Sequence, residues 1–276
     1  FVTFLPLAAC AVHRENRLMG GSPRKASAGT ALRSALAKLL RESSRAVERF
    51  DADPTGRAHF IRTRMKRLQS LARLVPKGAS WREMFLPPCR ELKDLFAEMR
   101  DAYIVRALAE KYAPGEARHL RSAAKPDTRR AAHLAEFAAG VLSDYPSWKT
   151  VGWEAIADRA VGTYRAARNG WKEARRSGAP DAAFHEWRRR VKRLLYQCEY
   201  LGGRARLVRL TARVERLGET LGEIQDVCMA EDWIAEHVGK VPRDLPRSKK
   251  TLRRRSLEQG GKLFAAKPRD FRKMLG

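Results

Sequence analysis

The sequence lacks most of the patterns that mark enzymes and metal proteins. Its four cysteines lie far apart with no Cys-x-x-Cys pair, which argues against a disulfide framework or a zinc site. It has no P-loop, no glycine-rich dinucleotide fingerprint, no nucleophile elbow and no His-Glu-x-x-His helix. We therefore expect no catalytic residue, no metal and no cofactor. The scattered cysteines fit a reducing compartment such as the cytoplasm.

The chain also lacks an apolar segment that is long enough to span a bilayer. Residues 1–12 are apolar but too short for a membrane span. They include Leu7-Ala8-Ala9-Cys10, which is similar to a bacterial lipoprotein cleavage site, although no basic segment precedes it. We expect residues 1–27 to be a flexible or mis-set N-terminal segment, and a lipoprotein-type signal remnant remains the alternative.

Acidic residues are few compared with basic ones. The 276 residues include 57 Lys and Arg against 31 Asp and Glu, a formal net charge of +26. Self-repulsion at this charge destabilises a compact chain, so a strongly anionic partner is the simplest compensation. Nucleic acid, polyphosphate and an anionic membrane surface all fit this requirement. A hydrophobic content of 44% still indicates a folded protein, with one large domain or two moderate ones.

Strand-like alternation is missing, and apolar residues recur at helical spacing instead. We therefore predict an all-α fold. Proline, glycine and capping residues then locate several helix ends. They predict a long helix that starts at Pro87-Pro88 and reaches about Tyr112, a helix capped by Asp181, and a last helix from about Ser248 to Phe264.

The most informative segment is the predicted helix from His185 to Leu201. An apolar face that can pack into a core contains Trp187, Val191, Leu194, Cys198 and Leu201. Another face gathers cations and one imidazole into a line that contains His185, Arg188, Arg189, Lys192 and Tyr196. An amphipathic helix normally mixes charges of both signs on its wet face, so this line indicates a polyanion-binding surface.

The same pattern occurs once before, beginning at His59. Aligned with the later helix, it pairs His59 with His185, Arg62 with Arg188, Arg64 with Arg190, Lys66 with Lys192 and Arg67 with Arg193. A match of this length indicates an internal duplication. We predict two similar halves, residues 28–143 and 148–276, within one helical domain of residues 28–276. A pseudo-twofold relation would bring the two basic helices together at a central groove.

These residues resemble the CHAD domain, the conserved histidine α-helical domain. The resemblance runs from about Ala28 onward and rests on the paired His-x-x-Arg-x-Arg-x-Lys-Arg-Leu helices, on Arg100-Asp101, on Leu221-Gly222-Glu223 with Asp226, and on the closing segment from Lys262 to Phe271. It implies a compact protein of two four-helix bundles. It also implies that the basic central surface binds inorganic polyphosphate.

The resulting hypothesis is a non-enzymatic polyphosphate-binding module that associates with polyphosphate granules in the cytoplasm. The predicted binding residues are His59, Arg62, Arg64, Lys66, Arg67, His185, Arg188, Arg189, Lys192, Arg193 and Tyr196. The wheel angles of Arg64, Arg67, Arg189 and Arg190 also permit salt bridges to neighbouring helices. Carboxylates at equivalent places in the two halves are predicted to orient the cations, namely Glu98, Asp101, Glu223 and Asp226.

Other interpretations stay open at this point. The basic helices are also compatible with nucleic-acid binding, although their aromatic residues lie mainly away from the cations and so disfavour base stacking. The paired carboxylates are compatible with a magnesium-dependent phosphohydrolase, although surrounding cations oppose a metal site. The charged lines can also be plain solvated faces, and the two histidines can be structural. The Ala- and Arg-rich composition is typical of bacterial proteins, and the oligomeric state is undetermined.

Overall fold

A computed structural model of the chain describes residues 28–76, 80–112, 114–118, 120, 123–202 and 205–276. Every regular element in these ranges is helical, which confirms the all-α prediction. The predicted N-terminal segment, residues 1–27, lies outside the described residues. The α-helices are α1 (Ala28–Glu48), α2 (Pro54–Ala72), α3 (Ser80–Asp94), α4 (Ala97–Tyr112), α5 (Pro114–Ala117), α6 (Thr128–Asp144), α7 (Trp153–Ala174), α8 (Asp181–Leu201), α9 (Ala205–His237), α10 (Asp244–Phe264) and α11 (Pro268–Leu275).

The described residues divide into two compact units. The N-terminal unit contains residues 28–159 and 232–241, and the C-terminal unit contains residues 160–202, 205–231 and 242–276. The division falls inside α7, after the predicted boundary at residues 143–148. The pseudo-twofold relation, the four-helix count of each half and the shared groove stay predictions.

The N-terminal unit packs α1 on α2 and α6, and α3 on α2 and α6. Carboxylate caps start two of these helices: Asp53 accepts a hydrogen bond from the backbone N–H of Gly56, and Asp127 accepts one from that of Arg130, both at 2.9 Å. Aromatic rings fill part of the interior, with Trp81 5.0 Å from both Phe85 and Trp148, measured between ring centroids. Helix α2, the first basic helix, packs on both α1 and α3 of this unit.

The prediction that Pro87-Pro88 starts a long helix is wrong. Both prolines lie inside α3, and a separate helix, α4, begins at Ala97. Proline removes one backbone hydrogen bond from a helix interior, so packing must hold α3 together. Its buried residues at helical spacing do this, namely Trp81, Phe85, Cys89 and Leu92. The local proline signal was overridden by tertiary burial.

The C-terminal unit is built around Trp187 of α8, which is fully buried. A Cβ atom on Gly260 of α10 would lie only 2.6 Å from Cδ1 of Trp171 and 2.8 Å from Cζ2 of Trp187, so only glycine lets α10 approach the two indoles. Tyr164 of α7 stacks on Phe271 of α11 at 4.7 Å between centroids. Helices α7 and α10 therefore both approach Trp187 on the apolar side of α8.

Asp181 is the first residue of α8 and not its cap, which corrects the sequence prediction. Pro180 occupies the capping position and makes no side-chain hydrogen bond there. The Asp181 carboxylate instead pairs with Arg253, and with Lys249 at 3.3 Å, both on α10. Asp181, which local rules assign to capping, therefore forms ion pairs with a helix that is distant in the sequence.

The last part of the chain also differs from the prediction. Helix α10 begins at Asp244, four residues before Ser248, and Pro246 lies in its first turn, where no helical partner is needed for the missing N–H. Burial of Leu245 extends the helix backward. A further helix, α11, was not predicted, and it buries Phe271 and Leu275.

Candidate functional site

The first basic helix, α2, presents three of its predicted binding residues on its accessible side. His59 and Lys66 are exposed, and Arg62 is half-buried. Nη1 of Arg62 donates a hydrogen bond of 2.9 Å to the backbone carbonyl of Lys93, next to the last residue of α3. This contact holds the guanidinium of Arg62 in one place because the carbonyls of a last helical turn have no partner within their own helix.

His59 stands in a cationic environment. Desolvation by the surrounding protein, and then the charges of Lys66, Arg100 and Arg62, hold the pKa of His59 below its ordinary value of 6.5. The imidazole is therefore mainly neutral at neutral pH in the free protein. A bound polyanion would reverse the electrostatic part of this effect and favour the protonated form.

The carboxylates of the N-terminal unit have different surroundings. Asp101 pairs with Arg100 at 3.0 Å, and its charge also acts to raise the pKa of Arg62, against the larger effect of burial. Glu98 accepts a hydrogen bond of 3.3 Å from the backbone N–H of Ala124. Asp101 thus lies near a cation of the basic helix, while the contact of Glu98 ties down a chain segment.

Arg64 and Arg67 point into the protein, with 8% and 4% of their surface exposed. Nε of Arg64 lies 2.9 Å from Oε2 of Glu42 on α1, and its guanidinium covers the ring of Phe60 at 4.5 Å from the centroid. Of the two readings that the sequence left open, the salt bridge to a neighbouring helix is the one that the geometry shows for Arg64.

The second basic helix, α8, lies along α9, where two glycines one helical turn apart face its cations. A Cβ atom on Gly218 would lie 3.4 Å from Cε, 3.5 Å from Cδ and 3.5 Å from Nζ of Lys192. A Cβ atom on Gly222 would lie 3.8 Å from Nε and 3.9 Å from Nη2 of Arg188. The side chains of Arg188 and Lys192 therefore rest on a glycine surface of α9.

The same register continues to the start of the cationic line. Nδ1 of His185 is hydrogen-bonded to Oε1 of Gln225, and this contact orients the imidazole. His185 itself is exposed, and Tyr196, at the far end of the line, is half-buried. His185, Arg188 and Lys192 thus form a row on one face of α8, and each member contacts α9.

Three carboxylates act electrostatically on the ammonium of Lys192. Burial, and then the charge of Arg188, lower the pKa of Lys192, while Glu219, Glu199 and Glu215 act in the opposite direction. The ammonium therefore has internal counter-charges that a bound anion would have to displace or share.

The remaining cations of α8 are held by acidic residues of the same unit. Nη1 of Arg189 lies 3.0 Å from Glu186, and Arg190 contacts Glu173 at 2.9 Å and Glu186 at 3.2 Å. Burial lowers the pKa of Arg193, and the negative charge of Glu186 partly offsets this decrease. Arg190 thus shows the salt bridge to a neighbouring helix, α7, that its wheel angle permits, whereas the partner of Arg189 lies on α8 itself.

The two predicted carboxylates of α9, Glu223 and Asp226, are half-buried. Burial raises the pKa of Glu223. The charge of Arg255 on α10 opposes this rise, and the charges of Glu219 and Asp226 add to it. Glu223 thus faces α10 as well as its acidic neighbours. Among the described residues, no group of three or more His, Cys, Asp or Glu side chains is arranged to hold a metal ion.

The role of Gly218 and Gly222 was not predicted from the sequence, although two glycines within a long helical segment were a readable signal. Arg206, Arg209 and Arg216 of α9 are exposed as well and were not predicted as part of a binding surface. They lie on roughly the opposite side of α9 from the glycines. None of the three side chains forms an ion pair or hydrogen bond within the described part of the chain.

Comparisons with known proteins give two matches. A family model described as the CHAD domain matches residues 30–235. The crystal structure of the CHAD domain from the plant Ricinus communis is similar with a TM-score of 0.52 at 17% identity, covering 91% of this chain and 92% of that chain. At this identity the similarity supports the fold alone. No curated protein matches the chain, and no helix in the described ranges is both long and apolar enough to cross a membrane.

Proposed function

The chain belongs to the CHAD domain family, and from that premise we propose that it binds inorganic polyphosphate through its two basic helices without transforming it. The observation that carries this proposal is the row of His185, Arg188 and Lys192 on α8, braced along its length by α9. A row of cations held at one-turn intervals suits a ligand whose negative charges repeat along a line.

The binding set that the geometry supports is smaller than the one predicted from the sequence. We assign phosphate contacts to the cations and imidazoles on the accessible sides of the two helices: His59, Arg62 and Lys66 on α2, and His185, Arg188, Lys192 and Arg193 on α8. Arg64 and Arg67 are buried, so we give them a structural role. Arg189 is exposed and paired with Glu186, and it extends the surface of α8.

The chemistry of the row favours a ligand without bases. Phe184 and Trp187 of α8 are buried and offer no face for stacking, and Tyr196 is the one aromatic residue in the line of cations. Arginine offers a planar fork to phosphate oxygens, and lysine offers a compact charge, so both bind phosphate irrespective of what it carries. Such binding would place the protein at polyphosphate granules in the cytoplasm.

Binding is tested by titrating long-chain polyphosphate, at low and at physiological salt, into the wild type and the Arg188→Ala/Lys192→Ala variant. We expect a loss of about a hundredfold, from two charge-assisted contacts of about 1.5 kcal/mol each. The matched control is Arg209→Ala/Arg216→Ala, which removes the same charge from another face of α9. Its affinity should fall less than about threefold.

Equal losses in the two double variants would mean that the charge of the whole unit, and not the row on α8, attracts the polyanion. Displacement of polyphosphate by duplex DNA or RNA at equal phosphate concentration would favour a nucleic-acid-binding protein. Release of orthophosphate in the presence of magnesium, abolished by Asp101→Asn or Asp226→Asn, would contradict the non-enzymatic part of the proposal.

A further inference from the structure

The glycine pair of α9 has no evident role in the helix itself. Gly218 and Gly222 lie in the middle of α9, far from its ends at Ala205 and His237. Glycine is a poor helix former because it loses the most backbone freedom on folding and leaves the backbone exposed. Neither glycine has a positive φ that would require it, since the described glycines with positive φ are Gly178 and Gly239.

What lies over the two glycines explains them better. The three atoms nearest to a Cβ on Gly218 all belong to Lys192, and the atoms within 4 Å of a Cβ on Gly222 both belong to Arg188. Gly218 is buried, so the side chain of Lys192 covers it. The two glycines thus form a shallow trough in α9, and the side chains of Lys192 and Arg188 lie in it.

We propose that Gly218 and Gly222 are positioning residues, which hold Lys192 and Arg188 across α9 so that their charged ends keep a fixed spacing for consecutive phosphates. This inference rests on the proposed polyphosphate binding and adds the residues that arrange the site. Long cationic side chains lose much rotamer freedom when they bind a ligand, and a trough that orders them beforehand removes part of that cost. A side chain at position 218 or 222 would occupy the trough and push the cation out toward water.

The charged groups around the trough make the pKa of Lys192 depend on where its ammonium lies. Glu219 and Glu215 flank Gly218 on α9, and Glu199 lies one turn from Tyr196 on α8; all three carboxylates act on the ammonium. The charge of Arg188 has the opposite effect and lowers the pKa of Lys192. The position of the ammonium between these groups depends on how deeply its side chain lies against α9.

The test is a size series at the two glycines, with Gly218→Ala, Gly218→Leu and Gly222→Leu. Alanine and leucine are both good helix formers, so neither should weaken α9 by propensity. The matched control is Gly162→Leu in α7, where a Cβ atom meets nothing within 4 Å. Affinity for long-chain polyphosphate is measured for each variant, together with the thermal midpoint as a check of folding.

We expect Gly218→Leu to weaken binding roughly five- to tenfold and to lower the salt slope of binding by about 1, as expected when one phosphate contact is lost. Gly218→Ala should lose less, because its Cβ atom only touches Lys192, and Gly222→Leu should act on Arg188 in the same way. Gly162→Leu should bind like the wild type. Undiminished binding by both leucine variants at 218 and 222 would overturn the inference.

A second readout does not depend on polyphosphate. In the free protein, NMR titration of the Lys192 side chain should show its pKa rising toward the ordinary value of 10.5 in Gly218→Leu, because the ammonium is moved into water. A merely structural effect of the substitution would leave that pKa in place. If the wild type binds no polyphosphate, the proposed function fails, while the Lys192 titration still decides whether the trough holds the cation.

Discussion

The two basic helices carry the same order of cations but hold them in different ways. On α2, Arg62 is held by the backbone carbonyl of Lys93 at the end of α3. On α8, the equivalent Arg188 rests on Gly222 within the unbroken helix α9. When Asp101 is aligned with Asp226, the turn that separates α3 from α4 falls where the second half has continuous helix.

This difference shows that a repeated cationic pattern does not by itself fix a binding surface. A helix end supplies acceptor carbonyls for a guanidinium, whereas a helix interior supplies none and can only make room by using glycine. The partner helix therefore decides how each cation is placed. It also contributes to the local charge, because Glu215 and Glu219 of α9 act on Lys192, while Arg100 of α4 acts on His59.

The largest expected effect is on the free energy of unfolding, when the buried Arg64 of the first basic helix and its counterpart Arg190 in the second are each replaced. Arg64→Ala removes the ion pair with Glu42 from a site where the arginine side chain is 10% exposed, whereas Arg190 is 24% exposed and has two partly exposed carboxylate partners. We expect losses in the free energy of unfolding of about 2–3 kcal/mol for Arg64→Ala and below about 1 kcal/mol for Arg190→Ala. Urea unfolding measures both, and similar losses would refute the contrast.

An intermediate effect should appear in the pH dependence of binding. The lowered pKa of His59 in the free protein must rise when a polyanion binds, so binding takes up a proton and tightens as the pH falls. Between about pH 7.5 and pH 5.5, we expect a gain of roughly three- to tenfold that is lost in His59→Gln. His133→Gln, which changes an exposed histidine of α6, is the control. An unchanged pH slope in His59→Gln would exclude this role.

The lowered pKa of His59 affects the stability of the free protein in the opposite direction from its effect on binding. Because His59 binds its proton less readily in the folded protein than in the unfolded chain, the free protein should lose stability as the pH falls through about 6.5. His59→Gln should lose less over that interval. A thermal midpoint that falls equally in both proteins would place the acid sensitivity elsewhere.

The smallest effect should come from the carboxylates that distinguish the second helix. Glu219→Gln removes a charge that now favours the ammonium of Lys192 and competes with phosphate. We expect binding to tighten by roughly two- to fivefold, in line with exposed charge pairs. Glu258→Gln on α10 makes the same change of net charge beside Arg254 and serves as the control. Equal tightening of binding in both variants would mean that the net charge of the protein, and not the position of Glu219, controls the affinity.

Prediction from the sequence succeeded where the physical signal is local. Spacing of apolar residues along α8 predicted its buried face, and Trp187, Val191, Leu194 and Cys198 are all buried. It failed at Pro87-Pro88 and Asp181, where a local rule competed with burial and with an ion pair to another helix. Rules for helix ends describe the chain's own preferences, and packing of distant segments can outweigh them.

The helical class, the two cationic helices and their duplication follow from the order of residues, because periods of three to four residues along one helix need no knowledge of its neighbours. The placement of the cations does not follow from that order. Whether Arg64 meets Glu42, whether Arg62 finds the carbonyl of Lys93, and whether Lys192 lies on Gly218 depend on helices brought together from distant parts of the chain. Contacts of this kind are set by how the apolar faces pack, and only the folded protein contains them.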